Sequence, residues 1–431
     1  MEKRRQFLKE TLKSALVTVA GGSLLGNVYA ADRGREKYQV VNPYAHLNWE
    51  KSQQIASASH VHITDQQKLD KIYNEFKLRH IPISNYYPSA PFYPADRIRK
   101  DQFKVRQDFG VMYNPDNKEK GKERWQKASA AKGPFVWNDI IMNKKTGWYQ
   151  SLPDEKRRLL PFKEGEKVFT NIPKDVIISP NAEHHSFTNS SLHSNAIGSL
   201  YCSGTFDAHD EFGTRDHGYN FGTGLPWQEV FKKMIDQLLF EDAGGISINH
   251  PVWSSLSFDE VCQMLDFDNR VLGIEIFNDT CATGYGDPGK GWAVKLWDEI
   301  LKTKRKCVGF CVPDHTLGRG RNVLLVPAFT EYECLKAYRQ GSFYGAIQGS
   351  GLAFTRIDLQ DNKLFVNLNK RGRIRIVSDL IENIETYSGD AAQHTFPKNA
   401  SGTPMVNYVR IEAWDDTSEQ IYSQPIYFTK S

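Results

Sequence analysis

Short apolar runs that each stop at a histidine, carboxylate or asparagine recur along this chain and alternate with helical patterns. Residues 55–59 stop at His60, 81–84 at Asn85, 245–248 at Asn249 and His250, 271–277 at Asn278, and 307–312 just before Asp314 and His315. The run 176–179 leads to Glu183, and 196–201 carries on from His193. Between them, Leu69, Ile72, Tyr73 and Phe76 stand at helical spacing, 227–239 is amphipathic, and a helix over 330–340 stops at Gly341. Apolar runs this short are buried strands. Strands alternating with helices predict an α/β barrel, whose chemistry gathers at the carboxyl ends of the strands.

Other regions break the rhythm. Residues 31–54 read as an irregular leader. Residues 86–170 hold Pro88, Pro91 and Pro94 among many Lys, Arg, Trp and Tyr, and predict an insertion or cap. Tyr86, Tyr87, Phe92 and Tyr93 there would line a pocket wall or fill the insertion's own core. Beyond about residue 350 the period changes to two, over 353–357, 363–368, 373–377, 408–413 and 420–428, so a small all-β, sandwich-like domain closes the chain.

Arg4-Arg5-Gln6-Phe7-Leu8-Lys9 followed by an apolar run over 15–28 is a twin-arginine pattern, with a cleavage site after Ala30. That run is too short and too rich in Gly and Ser for a stable membrane span. The expected divisions are therefore a signal peptide over 1–30, a barrel domain over 31–349 with an insertion near 87–175, and a β domain over 350–431, in a periplasmic or otherwise extracytoplasmic protein. Removing residues 1–30 takes away five basic and two acidic groups and leaves a net charge of +1. That balance gives no concentrated basic face, and argues against a nucleic-acid partner. The six cysteines lack CxxC spacing and read as small core residues.

Seven residues carry the chemistry: His60, His62, Glu183, His193, His250, Asp314 and His315. A His-x-His at a strand end sets two imidazoles on one side, able to share a cation. A carboxylate lowers the charge of such a site and can bridge two cations, which polarise a phosphoryl oxygen and activate water. Imidazole and carboxylate suit zinc, manganese or iron.

The segments Ser59-His60-Val61-His62, Ala182-Glu183-His184-His185, His193-Ser194-Asn195-Ala196-Ile197-Gly198 and Gly244-Gly245-Ile246-Ser247-Ile248-Asn249-His250-Pro251 resemble the PHP family (polymerase and histidinol phosphatase domain). Residues 273–278, 341–344, 408–412 and 423–427 extend the resemblance, which covers roughly 52–86 and 176–431 and is nearest the exported branch with a C-terminal β domain. It implies a distorted (β/α)7 barrel and a metal-dependent phosphoesterase. It also implies metal ligands at His60, His62, Glu183, His193, His250 and His315. Three positions depart from the family pattern. Asn85-Tyr86 replaces an Asp-His, Asp65 is the nearest acid after His-x-His, and Pro313-Asp314-His315 displaces an aspartate by one residue. One or two divalent ions are therefore expected, not three.

The polar, glycine-rich stretch over 204–227 holds His209, Arg215 and His217. It is either a substrate-binding loop over the mouth of the site or an ordinary surface loop. Arg319 and Arg321 could clamp a phosphate or stand solvated. These readings point to an exported hydrolase of a small-molecule or oligomeric ester, with no catalytic group beyond water activated by the metal. The alternative is a PHP-fold binding protein with weakened catalysis.

Overall fold

The computed structural model describes residues 38–63, 66–84, 171–185, 187–199, 201, 226–349, 351–380, 385–400 and 402–430. The signal segment, most of the insertion, Asp65, Asn85, Tyr86, Tyr87, Phe92, Tyr93, Cys202, His209, Arg215 and His217 lie outside the described residues.

The first half of the described chain runs β1 (Tyr38–Val41), β2 (Gln53–Ser57), α1 (Gln66–Asn74), β3 (His80–Pro82), β4 (Ile177–Ser179), β5 (Glu183–His184), β6 (His193–Ile197), α2 (Trp227–Asp236) and β7 (Gly245–Asn249). It continues with α3 (Phe258–Phe267), β8 (Val271–Asn278), α4 (Asp279–Thr283), a 3-10 turn (Pro288–Gly291), α5 (Val294–Lys302), β9 (Val308–Val312), β10 (Gly320–Val326) and α6 (Glu331–Gln340). The remaining strands are β11 (Phe343–Ile347), β12 (Phe354–Gln360), β13 (Lys363–Ser378), β14 (Glu385–Thr395), β15 (Tyr408–Trp414), β16 (Gln420–Ser423) and β17 (Ile426–Lys430).

The described residues are mixed α/β, with two sheets and few helices. One sheet runs β5-β6-β7-β8-β9, and the other follows β1-β17-β15-β16-β11-β10-β2-β3-β4 with β12, β13 and β14 alongside. The expected (β/α)7 barrel is not shown. No closed barrel is found among the described residues, where β5, β6 and β7 pair antiparallel. The pairs within β7-β8-β9 and β2-β3-β4 are parallel, and so is the bridge between Val61 and Asp314. The carboxyl ends of the two sheets nevertheless meet. Asp314 N donates to His60 O at 3.0 Å, His62 N to Asp314 O at 3.3 Å, and Glu183 N to Ser84 O at 3.0 Å.

Sequence chemistry explains the elements that frame this junction. Every residue of β8 is buried, as in a parallel strand covered on both faces. α3 starts at Ser257 in a capping box with Glu260. The Gly244-Gly245 pair opens β7 at φ +68° and +151°, and a Cβ on either would fall 2.3 Å from Ile197 O or 2.5 Å from Arg270 O. Two glycines are therefore what lets β7 enter between β6 and β8.

Residues 38–41, read from sequence as part of an irregular leader, form a strand antiparallel to β17. The C-terminal strands are continuous with the α/β part, since β16 pairs with β11. Buried Arg410 on β15 reaches Asp298 of α5 at 2.7 Å, and Gln424 bonds both Gly309 N and Gly309 O, at 2.7 and 2.9 Å. The five described cysteines are free and buried, as small core residues. No helix among the described residues is long and apolar enough to cross a membrane.

Candidate metal centre

The segment 58–63 leaves β2 fully buried, so its polar groups need partners inside the protein. Asn181 and Asn195 each donate to Ser59 O at 2.8 Å, and Val61 N donates to Ser84 Oγ at 2.8 Å. With the two bonds to Asp314, these contacts fix the main chain on either side of His60 and His62. Both imidazoles then point into the junction. His250 and Asp314, which end β7 and follow β9, adopt φ +26° and +57°. Such values are uncommon away from glycine and bend each strand end toward the same point.

There His60 Nε2, His62 Nε2, a Glu183 oxygen and an Asp314 oxygen converge, all within 4.8 Å of one another. Five of their six separations lie between 3.1 and 3.3 Å. Edges of that length suit a tetrahedral ion site, whose centre would be about 2.0 Å from each corner, the bond length of zinc to imidazole nitrogen or carboxylate oxygen, and the sixth edge, between Glu183 and Asp314, is within 4.8 Å. Asp314 Oδ1 is buried with no hydrogen bond of acceptable geometry, although two imidazole nitrogens stand 3.2 and 3.3 Å away. A buried carboxylate oxygen left in that state fits a cation ligand.

The other oxygen of Glu183 faces His193 Nδ1 at 2.9 Å and His250 Nε2 at 3.3 Å, a second group able to hold an ion. Glu183 thus offers one oxygen to each group. The residues present fit one or two divalent ions of the kind bound by nitrogen and oxygen.

Charges inside this buried cluster are strongly coupled. Burial opposes the His60 charge, but Asp314, Glu183 and Glu275 outweigh it and raise its pKa well above the ordinary value. His62 is raised for the same reason, with Asp314 and Glu183 overcoming burial. Burial would lift the Glu183 carboxyl, yet His60, His193 and His250 hold it well below the usual range. Asp314 is also lowered, by His60, His315 and His62 against burial. Burial lowers His193 despite Glu183, and lowers His185 beside it to about 3.

His315 lies outside both of these groups and outside a third set of possible ligands, His60, His250 and Glu275. Its ring stacks on His62 at 3.8 Å and 5°, its side chain is 46% exposed, and burial pushes its pKa down to about 4. Its Nε2 stands 3.6 Å from Asp314 Oδ1. Arg319 and Arg321 are already paired. Arg319 binds Asp279 at 2.8 Å, and Arg321 binds the buried Glu419 at 2.7 Å.

Glu275 was not singled out from sequence. It accepts from His60 Nδ1 at 2.7 Å, from His250 N at 2.8 Å and from Asn278 Nδ2 at 2.9 Å. The first contact fixes the His60 tautomer with its Nε2 lone pair aimed into the tetrahedron. A glutamate in the apolar run 271–277 was the available signal, because an unpaired carboxylate is almost never buried. Asn278 also donates to Asp314 Oδ2 at 3.2 Å, tying both carboxylates together.

No protein-family model matches the chain, and no curated protein matches it. One solved structure does, a two-domain protein from Bacteroides vulgatus containing a predicted PHP-like metal-dependent phosphoesterase. The two are 11% identical over 89% of this chain and 95% of that one, with a TM-score of 0.35. So distant a likeness does not establish a shared activity.

Proposed function

We propose that the chain is a metal-dependent hydrolase of the PHP type, acting on a phosphate ester and exported through the twin-arginine pattern in residues 1–30. The observation that carries this reading is the tetrahedral convergence of His60, His62, Glu183 and Asp314, with the second oxygen of Glu183 turned to His193 and His250. The first four residues would hold one divalent ion. Glu183, His193 and His250 would hold another. Ions so bound supply Lewis acidity to a phosphoryl oxygen and bring the pKa of water toward neutrality.

The chain's own groups do the rest. Glu275 holds the His60 ring and the His250 backbone in place, and Asn278 steadies Asp314. Burial keeps the cluster in a low dielectric, where its fixed charges act strongly. Arg319 is the better placed of the two arginines to meet a phosphate, because its side chain is 39% exposed and that of Arg321 only 14%. His209, Arg215 and His217 are proposed to contact the substrate on the sequence argument alone.

The test is metal analysis of the purified mature chain, followed by a panel of phosphomonoesters, phosphodiesters and carboxylic esters. Bound metal and hydrolysis abolished by His60→Ala are expected. Bound metal without turnover, with zinc, manganese or iron, would overturn the enzyme reading in favour of a binding protein.

A further inference from the structure

Rings continue outward from the metal centre. Trp253 meets His250 edge-on at 4.9 Å and 82°, and His193 at 5.5 Å and 74°. Its other neighbour is Tyr285, tilted at 42° with centroids 5.4 Å apart. Tyr285 is 51% exposed, and Val252 beside Trp253 is 39% exposed. An aromatic path therefore leads from two imidazoles that face Glu183 to the solvent. The two centroid steps of 4.9 and 5.4 Å put the Tyr285 ring no further than about 10 Å from His250.

The turn that bears Trp253 is held by hydrogen bonds. Ser254 N donates to His250 O at 3.0 Å, and Ser254 Oγ meets His250 Nδ1 at 3.1 Å, so the turn bearing Trp253 is built onto the candidate ligand itself. Tyr285 follows the end of α4 and precedes Gly286, at φ +72°. Burial and then the charge of Asp314 raise the Tyr285 phenol, so it stays neutral in ordinary buffers. The exposed Tyr285 and the half-buried Trp253 are thus aromatic and uncharged. Ligand sites commonly combine such a wall with a few polar groups that do the chemistry.

Resting on the hydrolase reading above, we infer that the substrate is a phosphate ester bearing a planar ring, and that the ring stacks on Tyr285 and Trp253. The ester then lies within reach of His193, His250 and Glu183. Tyr285 is the specificity-determining residue, and Trp253 also positions the two histidines. An offset or edge-to-face ring contact corresponds to about threefold to tenfold in affinity.

Benzyl phosphate and ethyl phosphate test this, because their leaving alcohols have similar basicity and differ in the ring. With the zinc-loaded mature chain, KM for the benzyl ester should be about threefold to tenfold lower. Tyr285→Ala should bring the ratio of the two KM values close to one, and Tyr285→Phe should restore it. Calorimetry with benzylphosphonate and ethylphosphonate reads the same ratio without turnover. A ratio near one in the unaltered protein, or one that Tyr285→Ala leaves in place, would overturn the inference. Ring-selective phosphonate binding that depends on Tyr285, with no ester hydrolysed, would sink the hydrolase reading alone. Failure of both phosphonates to bind would overturn both.

Discussion

Asp314→Asn and His315→Ala ask which of two adjacent residues completes the metal site. Asp314 Oδ1 stands 3.2 Å from His60 Nε2 and 3.3 Å from His62 Nε2, at one corner of the tetrahedron. Asparagine keeps the volume and removes the charge. Uncompensating a buried charged partner costs about 3–5 kcal/mol, and at about 1.4 kcal/mol per tenfold this weakens zinc binding by roughly 100- to 4,000-fold. His315 stacks its ring on His62 at 3.8 Å and sets its Nε2 3.6 Å from Asp314 Oδ1, with its side chain 46% exposed. Removing that ring loosens packing around one ligand, so a loss below about tenfold is expected, less than an outer-shell partner usually costs. The assay is competition for zinc against a chromophoric chelator, with thermal melting of the metal-free proteins as a check on folding. A loss in His315→Ala equal to or greater than that in Asp314→Asn would refute the assignment of the corner to Asp314.

Glu275→Gln should lower zinc affinity by about 10- to 100-fold, because the His60 tautomer loses its anionic partner; a change under twofold in the same competition assay would count against this role. Metal uptake should release protons, since His60 and His62 have raised pKa values in the metal-free protein and must be neutral to coordinate. Apparent affinity should therefore weaken as pH falls through those raised values, and calorimetric heats that do not change between buffers of different ionisation enthalpy would contradict this. His80 is held neutral by burial, its pKa lowered to about 3 while it bonds Ser57 Oγ and Ser179 Oγ at 2.9 Å each. An unfolded chain takes up that proton near pH 6.5, so stability falls by about 1.4 kcal/mol per pH unit as pH drops from there toward 3. Urea titrations of His80→Gln between pH 4 and 6 should show a slope shallower by that amount.

Much of the site was legible because ligand-type residues interrupt apolar runs in a way a hydrophobic core does not tolerate without a purpose. His60, His62, Glu183, His193, His250, Asp314 and His315 stood out on that ground, and the structure brings the first six into overlapping ligand groups. Glu275 escaped notice because one carboxylate inside a strand gives no pattern. It becomes meaningful only when His60, more than two hundred residues earlier, is seen at 2.7 Å.

Local patterning determined that β7, β8 and β9 are buried strands, that helices precede or follow them, and that period-two strands close the chain. These features depend on neighbours a few positions apart, which the sequence displays. Pairing partners were beyond its reach. The antiparallel turn through β5, β6 and β7, the strand made by Tyr38–Val41 and the junction between the two sheets rest on contacts between distant segments. The same holds at the end of β9. The sequence offered Asp314 and His315 as neighbours, and only the tertiary structure sets Asp314 Oδ1 beside His60 and His62 while the His315 ring stacks on His62.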